Sequence, residues 1–124
     1  MYGHNPKEVL RVCEKVYSDE TLDCCTAANR VFSQLNDFDP LRESNTDDAK
    51  TLMKRVKDKG SLEEAINYTL LSVGLVKCDP EPGDLVFIRG ACGICLGANL
   101  YATRGIVGLS IIVENNVRGW TCQK

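Results

Sequence analysis

The chain has 124 residues, enough for one domain with its own core. Its 44% hydrophobic and 26% charged content is that of a soluble globular protein, and a net charge of -2 gives no general attraction to nucleic acid or anionic membrane. No stretch reaches the roughly 18 apolar residues of a membrane span, and "MYGHNPKEVLRVC" lacks the basic start and long apolar run of a secretion signal. A cytoplasmic site of folding is therefore expected, where disulfides rarely persist. Seven irregularly spaced cysteines fit that expectation.

The first two-thirds read as helices. Asn5 is a predicted N-cap, with Pro6 in the first helical position and Glu8 three residues after the cap. Val9, Val12, Cys13, Val16 and Tyr17 then recur at helical spacing. Asp23 caps a second helix whose inner face is read as Cys24, Ala27, Ala28, Val31, Phe32 and Leu35, with Pro40 ending it. A third helix is predicted from about Thr46-Asp47-Asp48, presenting Leu52, Met53 and Val56 inward and stopping at Gly60. Ser61 and Glu64 have capping-box spacing for a fourth, with Leu62, Ala65, Ile66 and Leu70 on its apolar side.

After Gly74 the pattern changes. "KCDPEPGDLVFI" puts a Pro- and Gly-punctuated turn before a strand from Asp84 to Ile88. "ACGICLGANLYAT" reads as a strand, a Gly turn and a second strand, "GIVGLSIIVENN" as another, and "VRGWTCQ" as a short terminal piece. Helices first and a small antiparallel sheet afterwards make a single α+β domain over residues 1–124.

This order of motifs resembles the NlpC-like branch of the papain-like cysteine peptidases, which cleave peptidoglycan stem peptides. Asp23-Cys24 matches an Asp-Cys helix start, "GDLVFI" at 83–88 a "GDLVFF"-like strand, and "ACGICLG" at 91–97 a strand of the form "HVGIYLG". The likeness runs from about residue 21 to 122 and is nearest to small phage proteins encoded among tail genes, which end in a Trp segment like Arg118-Gly119-Trp120. It implies Cys24 as the nucleophile position, where a helix N-terminus favours thiolate. It also implies a histidine base opening the "HVGIYLG" strand, and Ala91 stands there instead. A third polar group, orienting that base, falls near Thr103.

His4 is the only imidazole in the sequence and the one side chain that could replace the base, by folding back from the terminus. The expectation is a degenerate, non-catalytic domain: a virion component assembled in the host cytoplasm, contacting other phage tail or virion proteins. The alternative is a peptidoglycan endopeptidase or amidase using Cys24, with His4 or a neighbouring subunit's residue as base. No cofactor is expected. Cys92 and Cys95 form a CxxC, and Cys24-Cys25 adds two more thiols, but there is no second CxxC, and in a regular strand i and i+3 point to opposite faces unless a tight knuckle forms at Gly93. No metal site is expected, and a metal-dependent structural module is the remoter alternative. Cys13, Cys24, Cys92 and Cys122 are read as small buried apolar residues, Cys24 facing Ala91 across the core, while Cys25 and Cys78 are left unplaced.

Overall fold

A computed structural model describes residues 3–45 and 49–122. Among these, α1 (Pro6–Tyr17), α2 (Cys24–Asn36), the short α3 (Pro40–Glu43), α4 (Ala49–Lys59) and α5 (Leu62–Ser72) precede six strands. The strands are β1 (Leu75–Cys78), β2 (Leu85–Ile88), β3 (Ala91–Gly97), β4 (Leu100–Arg104), β5 (Leu109–Val113) and β6 (Gly119–Cys122). They form one sheet in the order β1-β6-β2-β3-β4-β5, every pairing antiparallel. This is the expected α+β arrangement of helices followed by an antiparallel sheet.

The caps form as their chemistry dictates. Asn5 Oδ1 accepts from the Lys7 N–H at 2.9 Å, Asp23 Oδ1 from the Thr26 N–H at 2.7 Å, and Ser61 Oγ from the Glu64 N–H at 3.1 Å. Each satisfies one of the donors that a helix start leaves without an intrahelical partner. α2 stops earlier than Pro40 requires, because Asp37 turns left-handed (φ 53°). Pro40 instead occupies the first turn of α3, behind the Asp39 cap. The expected start of the third helix at 46–48 lies outside the described residues.

α2 lies across β3, and the main core is the layer between helices and sheet: Val9, Val12, Val16 and Tyr17 from α1, Ala28, Val31 and Phe32 from α2, and Leu85, Ile94, Ala102 and Trp120 from the sheet. The opposite sheet face buries a smaller cluster of Val86, Ile88, Cys95 and Tyr101. Gly93 lets β3 and β4 close: a Cβ there would stand 2.6 Å from the Ala102 carbonyl oxygen. Gly97, at φ +99°, sits at the irregularity where the pairing of β3 with β4 shifts before the turn.

Three expectations are corrected. Met53 is 64% exposed, so the inward stripe of α4 is Leu52 and Val56 without it. Lys77 and Cys78, read as part of a turn, belong with Leu75 and Val76 to a strand whose order comes from pairing with β6. That same pairing makes the terminal Trp120 segment an interior strand between β1 and β2.

Candidate functional site

The N-terminal corner of α2 is built from sulfur. Cys24 and Cys25 are the first two residues of the helix, held by the Asp23 cap, and Cys92 rises from β3 beneath them. Cys25 Sγ and Cys92 Sγ lie 3.0 Å apart, Cys24 Sγ and Cys25 Sγ 3.9 Å, and all three sulfurs are within 4.8 Å of one another. Cys25 and Cys92 are buried, at 7% and 5% exposure, while Cys24 is half-buried and opens to solvent. The expectation of a largely buried Cys24 and an unplaced Cys25 is thus reversed. The stripe of α2 centres on Ala28, so residues 24 and 25 sit on its two flanks and packing decides which goes inside.

Ala91 does not face Cys24. It pairs with Ile88, whose side chain belongs to the sheet face turned away from α2, and side chains paired across antiparallel strands share a face. Cys92, one residue on and paired with Phe87, is the β3 residue that meets the helix. Thr103 pairs with Gly93, which in turn pairs with Val86, so it too lies on the far face. Cys95, three residues from Cys92, packs on that far face as strand alternation requires. The CxxC therefore does not chelate as a unit.

His4 is held at the other end of α2. Its Nε2 donates to Asn36 Oδ1 at 2.9 Å, its backbone N–H donates to the Pro82 carbonyl at 2.9 Å, and its ring lies over Gly83, where a Cβ would come within 2.6 Å of His4 Cδ2. Twelve residues of helix separate Cys24 from Asn36, about 18 Å at a rise of about 1.5 Å per residue. Proton transfer needs contact at hydrogen-bond distance or through one water. His4 cannot serve Cys24 within this chain.

The charge distribution at the corner follows chiefly from the thiols. Contacts from the Cys25 and Cys92 thiols favour thiolate at Cys24 and hold it well below the usual thiol range, opposed by partial burial. The contact with Cys24 works in reverse on the partners, with burial adding to it: Cys25 is pushed up to about 12, opposed by its contact with Cys92, and Cys92 is raised well above the ordinary value. The helix N-terminus adds its partial positive charge to the Cys24 side. Such a corner favours negative charge on the Cys24 sulfur, and among the described residues no imidazole stands there to receive and return a proton.

Two neighbours complete it. Tyr17 is fully buried, and its hydroxyl has no hydrogen-bond partner. Burial, together with the charges of Cys13, Cys92 and Cys24, disfavours its ionisation, so the phenol stands within electrostatic reach of the sulfurs as a neutral donor. A cavity of about 20 Å³, lined by Cys25, Leu41, Ile66, Leu85, Cys92 and Trp120, lies behind the two buried sulfurs. No protein-family model, curated protein or solved structure matches the chain.

Proposed function

We propose that this protein is a non-catalytic virion component of a phage, tail-associated, carried on an NlpC-like fold whose nucleophile position has lost its base. The observation that carries the non-catalytic reading is the company of Cys24: two thiols beside it, and the only imidazole about 18 Å away along α2. Catalysis by a cysteine needs a base on the thiol and an acid on the leaving amine, and removing such a member leaves only weak residual activity. Helices followed by an antiparallel sheet, with an Asp-Cys helix start packed on a Gly-containing strand, are consistent with the resemblance. The tail assignment rests on the resemblance to tail-encoded phage proteins.

The surface is compatible with a role in assembly. Ile106 and Val107 stand fully or mostly exposed at the tip of the β4–β5 hairpin, and Ile111 and Val113 are exposed on β5, a strand at the sheet edge. Apolar surface and an open edge of this kind are what protein partners cover. The test is mass spectrometry of purified particles of the encoding phage. The expected result is this chain at fixed copy number. Its absence from mature particles overturns the reading, and a peptidoglycan-cleaving activity abolished by Cys24→Ala overturns it in favour of the peptidase.

A further inference from the structure

We infer that Cys24, Cys25 and Cys92 form a site for a thiophilic d10 cation, zinc first among them, with three protein ligands and a fourth position open beside Cys24. This goes beyond the virion reading and holds whether or not that reading does.

Four observations converge on it. Among the described residues, these three side chains bring their donor atoms within 4.8 Å of one another, and they come from two elements that the fold itself clamps together. Three thiolates around one tetrahedral zinc, at about 2.3 Å each, lie about 3.8 Å apart. The Cys24–Cys25 separation of 3.9 Å already matches, and Cys25 and Cys92 need only part from 3.0 Å, with the small cavity behind them giving room.

The donor set also selects the ion. Thiolate is a soft ligand that favours zinc or copper(I) and rejects magnesium and calcium. The Tyr17 hydroxyl is a buried donor without an acceptor, within electrostatic reach of the sulfurs, so a negative charge that forms there meets a neutral donor in its surroundings. Finally, the site carries its charge in the right place. Zinc displaces three protons from three thiols, leaving three thiolates and one divalent ion with a net charge of -1, and the released protons pass to solvent. That residual charge sits at the first turn of a thirteen-residue helix, where unpaired N–H groups and the helix dipole favour it. The half-exposed Cys24 provides the way in.

The strand alternation that argues against chelation by Cys92 and Cys95 is not in conflict with this. The second and third sulfurs come from the helix start instead, and Cys95 is left on the other face.

The experiment uses the full chain, reduced and stripped with a chelator. Zinc is titrated against a chromophoric competitor, and cobalt(II) is substituted to read sulfur-to-metal charge transfer and the d–d bands of a tetrahedral ion. The expected result is one zinc per chain and a cobalt spectrum with thiolate charge transfer. Cys24→Ser and Cys92→Ser should each weaken zinc by more than the roughly 10–100-fold that loss of an outer-shell partner costs. Cys78→Ser, remote from the cluster, should leave the titration unchanged. If Cys92→Ser fails to fold, the wild-type cobalt spectrum and the half-exposed Cys24→Ser still decide. Reduced protein that holds no zinc against the competitor, or that holds it equally well without Cys24, overturns the site. So does purified protein whose Cys25 and Cys92 are joined in a disulfide and which binds no zinc once reduced.

Discussion

At its N-terminal end α2 meets the sheet through three sulfurs; at its C-terminal end it meets the residues before α1 through an imidazole and an amide. Both halves of a cysteine–histidine pair are thus present in the chain, on one helix axis, separated by about 18 Å. The difference teaches that distance, rather than composition, keeps His4 from acting as a base on Cys24 within this chain. Each end has also found other work for its reactive group. The thiol is absorbed into a sulfur cluster, and His4 ties its segment to α2 through the imidazole and to the turn before β2 through its backbone N–H.

The largest effect belongs to the core anchor of the helix that carries both ends. Phe32 is fully buried within α2, and Phe32→Ala should cost about 3–5 kcal/mol in urea unfolding, as truncation of a core aromatic does. In that variant alkylation of Cys25 should rise and exchange protection of the His4 N–H, bonded to the Pro82 carbonyl, should fall together. If one end loosens without the other, α2 is not the common beam this comparison requires.

Asp23→Ala acts at the sulfur end alone. Losing the cap on the Thr26 N–H should cost about 0.5–2 kcal/mol and expose the thiols by fraying the first turn, while amide exchange around His4 stays as it was. The smallest effect is expected from His4→Gln. It removes one partly buried hydrogen bond and some ring contact over Gly83, at about 1 kcal/mol or less, and changes nothing at Cys24.

Much of this was legible in the sequence. The Asn5, Asp23 and Ser61 caps, the strands from 85 to 113 and the opposite facing of Cys92 and Cys95 all follow from local chemistry and period. β1 was not, because Val76 and Lys77 are both exposed and its pattern lacks the alternation of a half-buried strand. Its order depends on β6, more than forty residues later in the chain. The sulfur cluster was hidden for a related reason. Helical period leaves Cys24 and Cys25 equally placed on the flanks of the Ala28 stripe, and only packing sends Cys25 inward. Likewise, a strand's period says which residues share a face but not which face meets the helix. Placing Ala91 opposite Cys24 was therefore wrong by one residue, and one residue in a strand exchanges the faces.

The central claim is that Cys24 answers to Cys25 and Cys92 and not to His4. The most direct test is the rate of Cys24 alkylation by iodoacetamide against pH, in chelator-treated wild type and in His4→Gln. A thiolate sustained by neighbouring thiols and the helix start should react at a rate nearly flat from about pH 6 to 9, where a free thiol with a pKa of about 8.5 climbs steeply. The two profiles should superimpose. A limb near the imidazole range of about 6.5 that disappears in His4→Gln would contradict the claim and return the histidine to the site.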